Sequence, residues 1–208
     1  MPGRPTLYVL AGPNGAGKST LFEYVLQHDP VSRSATFINA DLIQRETLRT
    51  TDMEAAYEAA RLAETRRREC IARRESFITE STFSHPSKLD LIHDAANAGY
   101  RVAVFHINVN SADISVSRVA QRVQRGGHPV PEQKIRERYQ RNQMLIREAV
   151  LAADAGLVFD NSERFAGPRR VLEFRRGFIV DLAAPVPEWI RALYRKELTQ
   201  YLRMFKGR

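Results

Sequence analysis

Residues 12–19 have the residue types and the spacing that hold phosphate groups. The segment Gly12-Pro13-Asn14-Gly15-Ala16-Gly17-Lys18-Ser19 fits the pattern G-x-x-x-x-G-K-[ST] without a mismatch. Its backbone N–H groups would wrap a triphosphate, Lys18 would reach the β- and γ-phosphates, and Ser19 would hold Mg²⁺. An ordinary glycine-rich turn explains neither the lysine nor the hydroxyl. The pattern predicts binding of ATP or GTP with Mg²⁺ by Gly12, Pro13, Asn14, Gly15, Ala16, Gly17, Lys18, Ser19 and Thr20.

Two carboxylates follow apolar runs downstream of this loop. Asp41 comes shortly after residues 35–38, where it could take the proton of an acceptor hydroxyl beside the γ-phosphate. Glu80 follows residues 76–79 and could hold Mg²⁺ or a substrate hydroxyl. The alternatives are structural: a helix cap for Asp41, and a cap or loop salt bridge for Glu80. We predict Asp41 as the catalytic base, Ser19 and Glu80 as metal ligands, and a substrate site made of Asn39, Asp41, Glu80, Ser81 and Thr82.

Three arginines recur at spacings of four and three, so one face of a helix carries Arg118, Arg122 and Arg125. A pair of glycines follows and provides a hinge. An arginine on a lid beside a triphosphate can neutralise the charge that develops during phosphoryl transfer. The alternative is a surface helix with solvated arginines. We predict a lid over about 118–142 and name Arg118 and Arg125, together with Lys18 and Asp41, as catalytic.

Short apolar runs alternate with helical patterns along the chain, and these elements must position the polar groups. Strands are predicted at about 7–11, 35–38, 76–79, 101–109 and 157–159. Intervening helices are predicted, one of them starting at a capping box over 51–54. A small terminal hairpin at 171–182 and a closing amphipathic helix at 187–205 complete the pattern.

Alternating strands and helices imply a parallel sheet that is covered on both faces, with ligands beyond the carboxyl ends of the strands. The predicted fold is therefore α/β: a three-layer P-loop NTPase or kinase fold with a central, mostly parallel sheet and a helical lid. The length of 208 residues fits a single domain over 1–208.

Composition limits the remaining possibilities. A single cysteine, Cys70, excludes an internal disulfide, and no run approaches the length of a membrane-spanning helix. Because the first residues also lack the apolar stretch of a signal peptide, we expect a cytoplasmic protein. The net charge of +8 suits nucleic acid, a polyphosphate substrate or an acidic partner. The arginines within 61–74 are interleaved with glutamates, which favours a solvated helix face.

The motifs together resemble the zeta toxin family of phosphate-loop kinases, especially its short stand-alone members. The resemblance covers roughly residues 6–165. Besides the phosphate loop, it rests on Phe37-Ile38-Asn39-Ala40-Asp41, Glu80-Ser81-Thr82-Phe83-Ser84, Gly99-Tyr100, Ser117-Arg118-Val119, Arg125-Gly126-Gly127-His128-Pro129-Val130-Pro131 and Asp160-Asn161-Ser162. The order and spacing of these segments are fairly specific, whereas the phosphate loop alone is not.

The resemblance implies a kinase that uses ATP or GTP to phosphorylate the sugar 3′-hydroxyl of UDP-N-acetylglucosamine or a similar sugar nucleotide. It also implies a small antitoxin protein that blocks the nucleotide site. By resemblance, Asp41 is the catalytic base, Glu80 a substrate-side acid and Arg118 the first lid arginine. The second lid arginine of the larger toxins falls near His128 in this sequence, where Arg122 or Arg125 could replace it.

Two other classes share the phosphate loop. A nucleotide-binding switch or transporter-type ATPase would need a Leu-Ser-Gly-Gly-Gln-like signature and a strand closing on Asp-Glu, and the sequence has neither. A kinase acting on a nucleotide or polynucleotide would suit the positive charge. Binding of nucleic acid would predict aromatic residues among the arginines, but residues 51–75 contain only Tyr57. We therefore expect a small-molecule kinase without a membrane or nucleic-acid partner.

Overall fold

The computed structural model describes residues 3–28, 35–50, 52–127, 129–163 and 166–206. Its strands are β1 (Thr6–Ala11), β2 (Thr36–Ile38), β3 (Phe77–Ser81), β4 (Arg101–Asn108), β5 (Ala155–Asp160), β6 (Arg169–Arg175) and β7 (Phe178–Leu182). They form one sheet in the order β2-β3-β1-β4-β5-β6-β7. The strands β1 to β5 pair in parallel, and β6 and β7 continue the sheet in antiparallel pairing.

The helices are α1 (Lys18–His28), α2 (Ala40–Leu42), α3 (Met53–Arg73), α4 (Ser87–Asn97), α5 (Ala112–Gln124), α6 (Glu132–Ala152), α7 (Glu188–Leu193) and α8 (Arg195–Lys206). A π-helical segment, Ile43–Leu48, continues α2. Within the described ranges, no helix is both long and apolar enough to cross a bilayer.

Apolar side chains point alternately to the two faces of the sheet and build a core on each. Val9 and Phe77 belong to the core that includes residues of α3, α4 and α6. Leu10 and Ile78, their immediate neighbours in sequence, belong to the opposite core with Leu21 of α1. This alternation is the period of two that strands impose. The three-layer α/β arrangement with a mostly parallel sheet is therefore confirmed.

The register of the parallel strands brings the predicted site to one edge of the sheet. Ala11 at the end of β1 lies beside Ser81 of β3, and Ile38 at the end of β2 lies beside Thr79. The segments that follow β1, β2 and β3 therefore leave the sheet next to one another. The phosphate loop follows β1 and residues 39–41 follow β2, whereas Glu80 and Ser81 are the last two residues of β3 and Thr82 follows it.

Three local features differ from the sequence expectations. The terminal hairpin joins the central sheet, because β6 pairs with β5 over Ala155–Asp160. The predicted closing helix is interrupted at Tyr194, whose buried hydroxyl lies 2.8 Å from Nδ1 of His106. The helix α3 is capped by Asp52, which accepts from the N–H of Ala55 at 2.7 Å. Thr51, the first residue of the predicted capping box, lies outside the described residues.

Candidate active site

Two glycines with left-handed backbone shape the phosphate loop. Gly15 and Gly17 have φ angles of 77° and 96°, a region that glycine adopts without the strain of a side chain. A Cβ atom on Gly17 would lie 2.3 Å from Nδ2 of Asn161, and one on Gly15 would lie 2.5 Å from the carbonyl oxygen of Ser115. Both positions therefore require glycine. The loop leads into α1 at Lys18, so the free N–H groups of the first helical turn follow it directly.

Lys18 is the buried cation of the loop. Its Nζ donates to the carbonyl oxygen of Pro13 at 3.2 Å and lies 3.7 Å from Oε1 of Glu80. Burial lowers the pKa of the Lys18 ammonium below its usual value, against the opposing effect of Glu80 and Asp41, and Arg122 lowers it further. A phosphate group in the loop would supply negative charge that stabilises the protonated lysine.

Asn39 connects the two predicted carboxylates. Its Oδ1 accepts from the backbone N–H groups of Asp41 at 2.8 Å and Leu42 at 3.3 Å, so Asn39 is the N-cap of α2. Its Nδ2 donates to Oε2 of Glu80 at 2.9 Å. The Asp41 carboxylate does not cap the helix and lies in the wall of the cavity, whereas Glu80 is held between Asn39 and Lys18.

Most of the site residues predicted from the sequence line one cavity of about 490 Å³. They are Asn14, Gly15, Gly17, Lys18, Ser19, Thr20, Asn39, Asp41, Glu80, Ser81, Thr82 and Arg118. Three residues of the predicted nucleotide site do not line it: Gly12, Pro13 and Ala16 are buried and contribute the backbone of the loop. The fold therefore brings the phosphate loop and the predicted acceptor residues to a common space.

Two of the three arginines predicted on the lid reach this cavity. Arg118 and Arg122, one helical turn apart, line it, and Nη2 of Arg118 donates to the carbonyl oxygen of Glu163 at 3.4 Å. Arg125 is exposed at the C-cap of α5 and does not line the cavity. The structure thus brings Arg122, the alternative second lid arginine, to the cavity, whereas the predicted Arg125 lies further along, at the end of the helix. His128 lies outside the described residues.

Arg67 is a cavity residue that the sequence reasoning missed. The stretch 61–74 predicts a solvated helix face, and Arg68 does lie on such a face. That interpretation is wrong for Arg67, which is only 7% exposed and lines the cavity. Ala60 and Ala63 line the same cavity, at spacings of seven and four from Arg67. This row of small residues along one helix face was the available signal, because it leaves room for a long side chain to lie inward.

Two polar side chains hold the phosphate loop from outside the nucleotide motif. Nδ2 of the buried Asn161 donates to the carbonyl oxygen of Ala16 at 2.8 Å. Nη1 of Arg138, on α6, lies 3.3 Å from Oδ1 of Asn14. Asn161 was part of the matching motifs without an assigned role, and its position gives it one: it fixes the backbone of the loop next to Gly17.

Asp160 links this region to the C-terminal helices. Its Oδ1 accepts from Nε1 of Trp189, on α7, at 2.7 Å, and from the hydroxyl of Ser162 at 2.6 Å. Trp189 is 6% exposed, so this hydrogen bond lies in the interior. Asp160 is the last residue of β5, and Asn161 follows it directly. Asp160 bonds to Trp189 of α7 and Asn161 bonds to Ala16 of the phosphate loop, so these two consecutive residues link the C-terminal helices to the loop.

The cavity wall contains oxygen ligands that suit Mg²⁺ bound together with a nucleotide. The Ser19 hydroxyl at the start of α1 and the Glu80 carboxylate line the same cavity. Mg²⁺ prefers oxygen ligands, keeps several waters and is bound through one or two carboxylates plus substrate phosphates. It does not need a protein cage, and the described part of the chain holds no group of three acidic, histidine or cysteine ligands. Ser19 and Glu80 are thus the residues that could hold it.

A family model described as Zeta toxin matches residues 1–165. The chain belongs to the zeta toxin family. The resemblance noted from the motifs is therefore confirmed. The match includes the phosphate loop, Asp41, Glu80 and the arginines of α5, and it ends before β6.

One relative and two solved structures illustrate what the chain is similar to. An uncharacterized protein of Haemophilus influenzae is 30% identical over 128 residues, which cover 62% of this chain and 88% of that protein. The AvrRxo1-ORF1:-ORF2 complex with ATP has a TM-score of 0.64 at 19% identity, over 94% of this chain and 64% of that chain. The structure of the PezAT chromosomal toxin–antitoxin system of Streptococcus pneumoniae has a TM-score of 0.58 at 14% identity, over 96% of this chain and 88% of that chain.

These structural likenesses are evidence for the fold alone, because both identities are below 25%. The chain spans slightly less than two thirds of the AvrRxo1 chain that it matches, 64% of its length. What those proteins bind and assemble with is therefore a source of hypotheses for this protein.

Proposed function

We propose that the protein transfers the γ-phosphoryl group of ATP or GTP to a hydroxyl group of a small acceptor molecule. The observation that carries this proposal is that Lys18 and Asp41 line the same cavity. Lys18 is the phosphate-binding group, and Asp41 is a carboxylate that the fold does not use as a helix cap. Because Glu80 in the same cavity wall could hold Mg²⁺, Asp41 is the carboxylate that remains for an acceptor hydroxyl.

The proposed reaction is an in-line displacement at the γ-phosphorus. The acceptor oxygen forms a bond to phosphorus, the bond from phosphorus to the bridging oxygen of the β-phosphate breaks, and ADP or GDP leaves. Asp41 accepts the proton of the acceptor hydroxyl. Lys18 and Arg118 stabilise the negative charge on the transferred group, with Arg122 as the second arginine that lines the cavity. Mg²⁺ on Ser19 and Glu80 would neutralise phosphate charge.

Asn39 keeps the acceptor side in position for this step. By capping α2 it fixes the backbone of Asp41, and by donating to Glu80 it holds the second carboxylate at a set distance from Lys18. Ser81 and Thr82 follow Glu80 in the wall and offer hydroxyls to a polar acceptor. The lid over about 118–142 would comprise the second half of α5 and the first half of α6.

The family suggests a more specific acceptor and a partner. We propose a sugar nucleotide such as UDP-N-acetylglucosamine as acceptor, and a small antitoxin protein as partner, within the cytoplasm. Membership of the zeta toxin family supports both proposals. The PezAT toxin–antitoxin system, which has a similar fold, supports the partner.

The proposal is tested by incubating the protein with ATP-Mg²⁺ and a metabolite extract, and in parallel with UDP-N-acetylglucosamine. Mass spectrometry of the products should show a molecule that is heavier by one phosphoryl group, absent from reactions with Lys18→Ala. A product from the extract but none from UDP-N-acetylglucosamine would retain the kinase and reject the sugar nucleotide. Release of ADP and inorganic phosphate with no phosphorylated product would make the protein an ATPase.

A further inference from the structure

Arg67 and Lys88 place two positive charges in the cavity wall that the reaction proposed above does not use. Arg67 lies in the C-terminal half of α3 and Lys88 in the first turn of α4, on the face of the sheet opposite α1. Both line the same cavity as the phosphate loop. Arg67 is buried, and Lys88 is half-buried.

The two cations share one carboxylate. Nη2 of Arg67 lies 2.8 Å from Oε2 of Glu64, whose other oxygen is 3.2 Å from Nε of Arg68. Nη1 of Arg67 lies 3.5 Å from the hydroxyl of Thr79, and its buried Nε has no hydrogen-bond partner among the described residues. Lys88 interacts with Glu64 and Arg67 through space and not through a hydrogen bond. The negative charge of the Glu64 carboxylate is therefore divided among the three cations Arg67, Arg68 and Lys88.

This arrangement is electrostatically unfavourable without a ligand. Burial lowers the pKa of the Lys88 ammonium below its usual value and the charge of Arg67 lowers it further, against the opposing effect of Glu64. Like charges that are partly removed from water repel each other, and buried cations need anionic partners. An anion between the two side chains would pair with both and would relieve this repulsion.

The position of the pair points to the acceptor and away from the nucleotide phosphates. Lys18 of the phosphate loop reaches Glu80, whereas Arg67 reaches the preceding residue, Thr79. Arg67 therefore contacts β3 one residue further from its carboxyl end than Lys18 does. Apolar side chains complete the wall around Arg67 and Lys88: Ala60, Ala63, Phe83 and Leu91.

We propose that Arg67 and Lys88 form a second anion site, which binds a phosphate or carboxylate group of the acceptor molecule. This inference rests on the proposed kinase function. It narrows the acceptor to molecules that carry an ionised group as well as the hydroxyl that faces Asp41. Arginine supplies a planar fork for such a group, and lysine supplies a point charge.

The test measures binding of a free anion while the phosphate loop is blocked. The full chain is first saturated with a non-hydrolysable ATP analogue and Mg²⁺, so that added anion cannot enter the loop. Inorganic phosphate and acetate are then titrated separately by calorimetry into wild type, Lys88→Gln and the control Lys196→Gln. Lys196 is exposed on α8 and does not line the cavity.

At least one of the two anions should bind to the loaded wild type, and Lys88→Gln should weaken it by about tenfold or more, equivalent to roughly 1.4 kcal/mol. Lys196→Gln should bind like wild type, and all three proteins should bind the ATP analogue equally. The preferred anion identifies the group as phosphate or carboxylate. Absence of binding for both anions, or equal binding by wild type and Lys88→Gln, would overturn the inference. Because Lys88 is half-buried, its replacement should leave the melting temperature nearly unchanged.

Failure of this inference is distinguishable from failure of the proposed function. Anion binding that depends on Lys88 without any phosphorylated product would reject the kinase step and keep the anion site. A phosphorylated product from an acceptor that carries no ionised group would reject the anion site and keep the kinase.

Discussion

Replacing Asp41 by asparagine separates a kinase from a protein that only binds or hydrolyses nucleotide. The substitution keeps the size of the side chain and removes its charge and most of its basicity. The structure predicts that α2 is not disturbed, because Oδ1 of Asn39 caps the helix by accepting from the backbone N–H of Asp41, and the Asp41 carboxylate takes no part in the cap. The melting temperature of Asp41→Asn should therefore equal that of wild type.

The expected effect on transfer is large and the effect on nucleotide binding is small. Loss of a general base lowers a rate by about 10²- to 10⁴-fold, which corresponds to about 3 to 5 kcal/mol at the transition state. Nucleotide affinity should stay within about threefold of wild type, or roughly 0.6 kcal/mol, because Lys18 and the loop backbone bind the phosphates. Removal of the Asp41 charge also reduces the electrostatic repulsion between this side chain and the triphosphate.

The assay combines three measurements on wild type, Asp41→Asn and the control Asp94→Asn, whose exposed residue lies on α4 away from the cavity. Calorimetry gives the affinity for ATP-Mg²⁺, a thermal melt reports folding, and mass spectrometry follows the phosphorylated product. Wild-type transfer by Asp41→Asn would refute its role as the base. Loss of ATP binding with a normal melt would make Asp41 a metal ligand instead.

Three further predictions follow from other parts of the site. Arg118→Ala should lower kcat by roughly 10³-fold without changing the melt, with poor rescue by lysine, and Arg122→Ala should be more damaging than Arg125→Ala; equal kcat values for the latter two would contradict the geometry. Trp189→Phe removes the buried hydrogen bond to Asp160, which should cost about 1.5 to 3 kcal/mol and weaken nucleotide binding; an unchanged melt would count against this link. Burial lowers the pKa of His106 to about 3, so the unfolded chain takes up a proton below about pH 6.5 that the native imidazole resists. The free energy of unfolding should thus fall by up to about 5 kcal/mol as pH decreases towards 3. Chemical denaturation at several pH values should show a smaller decrease in this free energy for His106→Gln than for wild type.

The sequence was most informative where the chemistry is local in the chain. The phosphate loop is a contiguous motif between a strand and a helix, so its glycines, Lys18 and Ser19 could be assigned from spacing alone. Asp41 and Glu80 could be placed near the loop because parallel strands end at one edge of a sheet, and the structure places both in the wall of its cavity.

The remaining features depend on contacts between distant parts of the chain. The burial of Arg67 depends on Thr79 of β3 and on Glu64, and the pattern of the surrounding arginines resembles a solvated face. The choice between Arg122 and Arg125 depends on which part of α5 lies beside the phosphate loop, and helical spacing does not determine this. The link from Trp189 to Asp160 joins segments 29 residues apart, with no local signal in either.

The central claim, transfer of a phosphoryl group to an acceptor, is tested most directly with ATP labelled in its γ-phosphate. Wild type and Lys18→Ala are incubated with labelled ATP, Mg²⁺ and a metabolite extract, and the labelled small molecules are separated by chromatography. With wild type the label should move to a new compound, and Lys18→Ala should produce none of it while a thermal melt shows that it remains folded. Label that appears solely as inorganic phosphate, or equal transfer by Lys18→Ala, would contradict the proposed mechanism.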